Sequence, residues 1–198
     1  MIGRLVRRSG GRRRGAGQSL VEFTMVLPII MTMVMGAAEM GMAIGNDMSL
    51  ELATREGARV GASLCAGSSS TPWTSVDPLI IASVERALRS PGSPVDVTRI
   101  DYIHIFKANA DGTEGLYNVW TYAASGGPVV DGMQLHFIQG TVSWAANTRS
   151  SALPAQSIGV SIQYRYRLFT PMEAMMQVFG VTQITMRDST VMALQPSQ

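Results

Sequence analysis

Residues 17–44 read GQSLVEFTMVLPIIMTMVMGAAEMGMAI. Between Glu22 and Glu39 every residue is apolar, small or Thr, with Pro28 among them. At the helical rise of 1.5 Å per residue that interval is about 25 Å long, close to the ~30 Å hydrocarbon thickness of a bilayer. The stretch predicts a helix that crosses a membrane once, over about 20–44. Pro28 removes one backbone hydrogen bond and predicts a kink, which membrane helices tolerate. Glu22 needs a separate reason, because an ionised side chain in hydrocarbon costs roughly 2.5 to 3.5 kcal/mol, less near an interface. Its plain reading is a carboxylate that snorkels to water; its functional reading is a charge kept for pairing in an assembly.

What precedes this stretch sets its orientation. Arg4, Arg7, Arg8, Arg12, Arg13 and Arg14 all lie before Gly17 with no acidic residue among them. The remainder carries 10 basic against 14 acidic residues, so the overall charge of +2 belongs to the leader. An arginine cluster on one side of a span holds that side in the cytoplasm and sends the carboxyl-terminal part across. The acidic remainder argues against nucleic acid as a partner. Cys65 is the only cysteine, which rules out an intramolecular disulfide; its plain reading is a small side chain buried at a helix end, with an intermolecular bridge or a lipidated thiol as the alternatives.

The helical pattern continues past the span. Leu50, Ala53, Gly57, Val60 and Leu64 recur at spacings of three and four, with Glu51, Arg55 and Arg59 on the opposite side of the wheel. One helix over about 20–64 is expected, roughly 65 Å long, ended by CAGSSSTP at 65–72. Ala37, Gly41 and Gly45, four apart, form a small-residue face that would let a second helix approach closely, or would only ease curvature.

The rest predicts an extracytoplasmic α+β domain over 65–198. Asp77 and Pro78 look like the cap and first turn of a short amphipathic helix carrying Ile80, Ile81, Val84 and Leu88. Strands are expected at about 95–107, 116–122, 133–145, 157–169 and 182–193. The fourth alternates Ile158, Val160, Ile162, Tyr164, Tyr166 and Leu168 against Gly159, Ser161, Gln163, Arg165 and Arg167. Such alternation implies an antiparallel sheet covered on one side, since a parallel sheet would be apolar throughout. Thr170 and Glu173 read as a capping box around Pro171, opening a helix lined by Met172, Met175, Met176 and Phe179. Glu39 is expected at the outer membrane interface, with pairing in an assembly as the lesser alternative.

The GQSLVEF run with the apolar segment and Pro28, followed by ATREGAR at 53–59, resembles the TadE-like minor pilins and pseudopilins of the Tad/Flp, type IVb pilus system. A weaker resemblance covers the last forty residues, and 67–147 matches no family. The resemblance implies cleavage between Gly17 and Gln18 by a prepilin peptidase. It also implies that Glu22, fifth from the new amino terminus, neutralises the amine of a neighbouring subunit, with Phe23 beside it. Major Flp pilins usually carry Tyr at that place and TadE-like members often Phe. The chain left after such a cut is far longer than a major Flp pilin, which points to a minor pilin or pseudopilin. The implied partners are the peptidase, other pilins or pseudopilins, the Tad assembly machinery and membrane lipid, and the implied location is the inner membrane. No cofactor is implied.

No catalytic pattern emerges from the residues. His104 and His136 lie in expected strands without the paired spacing zinc requires. No nucleophile elbow, phosphate loop or dinucleotide-binding glycine pattern occurs, and no small-molecule substrate is expected. Asn109, Asp111, Gly112 and Glu114 suggest a calcium loop, but Lys107 stands at the first ligand position, and a hairpin turn explains them better. Trp120, Trp144, Tyr164 and Tyr166 read as core or cross-strand aromatics rather than a sugar-binding surface. Two competing architectures stay open: a secreted binding domain with 1–38 as signal peptide, and a permanently anchored single-pass protein.

Overall fold

In the computed structural model, which describes residues 14–152, 154–178, 180 and 183–195, helix α1 (Arg14–Leu64) runs unbroken for 51 residues. It begins six residues before the expected start at 20 and carries Pro28 inside it. The Thr24 hydroxyl donates to the Leu20 carbonyl at 2.7 Å, and the Thr32 hydroxyl to the Pro28 carbonyl at 2.8 Å. Both hydroxyls thus turn back onto the helix where no water is needed to satisfy them. Cys65 ends the helix in the left-handed region at φ 48, its N–H bonded to the Gly61 carbonyl, and its side chain is buried. Gly67, at φ 91, must be glycine: a Cβ there would stand 2.5 Å from the Thr71 carbonyl oxygen.

Helix α2 (Trp73–Leu88) corrects one expectation. It starts four residues before Asp77, after Pro72, so Asp77 and Pro78 lie inside the helix rather than at its cap. Burial explains why Pro78 is tolerated there, because Val76, Ile80, Ile81, Val84 and Leu88 all enter the core and outweigh one lost backbone bond.

Strands β1 (Ile100–Ala108), β2 (Glu114–Tyr122), β5 (Phe137–Val142), β6 (Ser157–Tyr166) and β7 (Ile184–Ala193) form one antiparallel sheet in the order β5-β2-β1-β6-β7; β3 (Val129–Val130) and β4 (Met133–Gln134) make a separate small hairpin. The α+β architecture, a long amino-terminal helix followed by an antiparallel sheet with short helices, is the one the sequence pattern implies. Several boundaries differ. A 3-10 turn at Val97–Arg99 replaces the start of the first expected strand. The expected strand 133–145 is broken between β4 and β5, leaving His136 in the connection, where its backbone N–H donates to the buried Glu85 carboxylate at 2.9 Å. A side chain from α2 thus takes the place of a sheet ladder. β6 stops at Tyr166 rather than 169, and Thr182 and Phe179 lie outside the described residues. The 109–113 segment is a hairpin turn, with Asn109 N–H bonded to the Thr113 carbonyl and Gly112 at φ 82.

The inner face of the sheet packs on α1 and α2. Ile158, Val160, Ile162, Tyr164 and Tyr166 all point inward and are buried, as their alternation requires. Gly57 and Gly61 let the helix come close: an added Cβ on Gly57 would lie 2.5 Å from Val84 Cγ2, and one on Gly61 would lie 2.8 Å from Ile158 Cδ1. β6 therefore runs down α1, with Ile158 beside Gly61, Val160 beside Gly57 and Tyr166 beside Glu39. On the outer face Phe106 lies flat over Gly159 and is also buried.

Candidate assembly site

From Gln18 to Ala38 no residue of α1 is buried, although almost every side chain is apolar. Leu20, Val21, Phe23, Met25, Ile29 and Met33 are all more than half exposed. This is the one helix among the described residues that is long and apolar enough to cross a membrane. Glu22, the only charged residue between Gln18 and Ala38, is exposed, and the Gln18 side-chain amide donates to it at 3.1 Å, one helical turn away. Gly17 and Gln18 sit on the exposed helix near its start, and Phe23 projects next to Glu22. Among the described residues no ion pair to Glu22 is formed.

The domain begins at Glu39. Only 6 % of this residue is exposed. Its carboxylate accepts the Tyr166 hydroxyl, the Phe169 N–H at 3.0 and 3.1 Å to its two oxygens, the Thr170 N–H at 3.0 Å, and the Thr170 side chain. Beyond the interfacial position that the sequence implies, Glu39 clamps a turn 130 residues away onto the helix. The clamp also replaces the expected capping box. Thr170 turns toward Glu39, while the Glu173 carboxylate at the start of α3 (Met172–Val178) pairs with Arg167 at 2.8 Å.

Above Glu39, one side of α1 meets the sheet and the other stays open. Leu50, Ala53 and Gly57 are buried, and Thr54 bonds Asp188 and, at 3.0 Å, Thr190 on β7. On the open side Met40, Ile44, Met48 and Leu52, each four apart, are all more than half exposed. Such an i, i+4 row is a ridge suited to the groove of another helix. The small-residue face divides: Ala37 and Gly41 are exposed, Gly41 with open space around it, whereas Gly45 faces Pro94 of its own domain, 3.6 Å from where a Cβ would stand.

The remaining polar clusters are internal supports. Asp77 pairs with Arg149 at 2.6 Å and accepts from Asn118 at 2.7 Å, and Arg149 lies 4.6 Å over the Trp144 ring. On the outer face Glu114 meets Ser161, Arg187 at 2.6 Å and His104 at 3.2 Å, while His104 stacks between Tyr102 and Tyr117. Burial pushes the Glu114 pKa up, but the bonds from Ser161, Arg187 and His104 outweigh it and hold the carboxyl below its usual range. Ser161 donates to Glu114 rather than to His104, so no nucleophile and base are aligned. Trp120, Trp144, Tyr164 and Tyr166 are buried core residues. Among the described residues no group of three or more His, Cys, Asp or Glu side chains is placed to hold a metal ion.

Neither the clamp nor the open ridge was visible in local sequence, because both depend on which side of α1 the distant sheet covers. Comparison with known families matches residues 17–59 to the TadE-like protein family, the family that the GQSLVEF and ATREGAR motifs resemble. The match covers the exposed apolar segment, Glu22 and the first half of the helix–sheet contact, less than a quarter of the chain. No curated protein and no solved structure matches the chain.

Proposed function

We propose that this chain is a structural minor pilin or pseudopilin of a Tad-type (type IVb) pilus. A prepilin peptidase cuts the precursor between Gly17 and Gln18. The apolar segment then holds the subunit in the inner membrane, crossing once with its amino terminus cytoplasmic and 65–198 outside. The Tad machinery finally packs α1 against other pilins or pseudopilins. In that packing Glu22 pairs with the new amine of a neighbouring subunit, and Phe23 contributes apolar contact beside it.

The observation that carries this reading is the exposed row Met40, Ile44, Met48 and Leu52. A simple anchor needs apolar exposure only across the bilayer, but this row reaches Leu52, about 20 Å beyond Glu39 at the helical rise. Neighbouring helices of an assembly would cover it, and Ala37 and Gly41 on the exposed helix allow close approach. The family match supports the same reading, since it begins at Gly17. The test is Glu22→Ala in the native host. The variant should insert in the membrane at wild-type level and fail to enter the fibre; incorporation equal to wild type would overturn the pairing mechanism.

A second reading, a secreted binding domain released by cleavage near Ala38, draws on one observation. Glu39, the first buried residue from Gly17 onward, follows immediately. The amino terminus of the native protein separates the two.

A further inference from the structure

We infer that the turn at 167–171 together with α3 is a membrane-interface foot that seats the domain on the lipid surface, with Phe169 entering the boundary between headgroups and acyl chains. The inference rests on the reading that the exposed part of α1 spans a bilayer.

The unburied apolar run ends at Ala38, and its 21 residues from Gln18 measure about 31 Å, one hydrocarbon thickness. Glu39 therefore stands at the edge of the hydrocarbon. Side chains on a helix tilt toward its amino terminus, so the Glu39 carboxylate reaches down toward the lipid rather than away from it. The backbone N–H groups of Phe169 and Thr170 are bonded to that carboxylate at 3.0–3.1 Å, which fixes the turn at the same level. Met35 and Gly36, one turn below Glu39, are already half-covered, and α3 touches α1. The domain thus overlaps the top of the span.

What the turn presents at that level is apolar. Phe169 is 78 % exposed and Val178 83 % exposed, the two most exposed large apolar side chains among the described residues. In water both would be unfavourable, whereas an aromatic ring at the interface is a common anchor. The charged groups around the foot are balanced: Arg99 pairs with Asp96, Arg165 with Asp101 and Arg167 with Glu173. With the Glu39 carboxylate added, the foot carries no excess positive charge to select anionic lipid, so the contact is apolar and tolerant of zwitterionic headgroups.

The test uses the full chain, with Cys65→Ala, reconstituted in phosphatidylcholine vesicles. A polarity-sensitive fluorophore is attached in turn at Phe169→Cys, Ile30→Cys and Asp111→Cys. Asp111 lies in the hairpin turn at the end of the sheet farthest from Glu39. Lipids carrying a quencher near the headgroup should remove most of the emission at 169, lipids quenching at the bilayer centre should do so at 30, and neither should affect 111. Emission at 169 as open to aqueous iodide as at 111, with 30 still quenched from the bilayer, overturns the foot alone. No lipid quenching at 30 overturns the spanning reading on which it rests. A label at 169 shielded from both lipid and iodide assigns the turn to contact with a second copy of the chain, and also overturns the lipid proposal.

Discussion

Replacing Glu39 by Ala removes the acceptor that holds the 167–171 turn against α1. The carboxylate takes bonds from the Tyr166 hydroxyl, the Phe169 N–H, the Thr170 N–H and the Thr170 side chain. Bonds to a charged group contribute about 1.5–3 kcal/mol each, but they are not additive, and donors released near the end of the domain recover water. A net loss of about 3–5 kcal/mol follows, roughly two such bonds after those allowances. Because the clamp sits at one end of the sheet, the loss should appear as local opening rather than global unfolding. At 1.4 kcal/mol per decade, hydrogen exchange at the Phe169 and Thr170 amides should accelerate between about a hundred-fold and a few thousand-fold. Exchange of β1 and β6 amides in the full chain in micelles should change far less. Glu39→Gln should fall between, since its carbonyl accepts one or two of the bonds without the charge. Unaltered exchange at residues 169 and 170 in Glu39→Ala, or acceleration spread evenly over the sheet, would refute the clamp.

Arg149→Met leaves Asp77 buried without its ion pair and should cost about 3–5 kcal/mol in denaturant unfolding, with the Asp77→Asn, Arg149→Met double variant recovering part of the loss. Gly159→Ala places a Cβ 2.2 Å from Phe106 Cζ and should cost about 1–3 kcal/mol, less when combined with Phe106→Leu; equal costs in both backgrounds would show that the ring is not what excludes the methyl. The Glu114 carboxyl is held below its unfolded value, so its contribution is complete above about pH 4.3 and is lost as pH falls through the lower folded value. Arg187→Gln should shallow that acid limb of the stability–pH curve and leave the neutral region of the curve parallel to wild type.

The long helix and the alternating strand β6 were legible because each depends on a period within one element. The apolar run with a single internal proline can be read without knowing the fold, and so can the inward row from Ile158 to Tyr166. Asp77 shows where local reading fails. Asp followed by Pro is a helix-start signal, yet the helix begins at Trp73 and the carboxylate serves Arg149 and Asn118, partners 72 and 41 residues distant. The break at Leu135 and His136 has the same origin, since Glu85 on α2 captures a backbone N–H that a strand would have used. Glu39 was half legible: its place at the end of an apolar run reads as interfacial, but the turn that it holds comes from the far end of the sequence and leaves no local signal. Of the proposed assembly residues, Glu22 and Phe23 follow from the resemblance of the GQSLVEF motif. The ridge from Met40 to Leu52 was not, because its apolar residues merge with the core pattern until the covered side of the helix is known.

The central claim is that the exposed amino-terminal helix is a processed assembly element. The most direct measurement is the first residue of the protein isolated from the native host. The account predicts Gln18, with the arginine-rich leader removed and Glu22 fifth from the new amine. A chain that starts at Met1, or near residue 39, would contradict it.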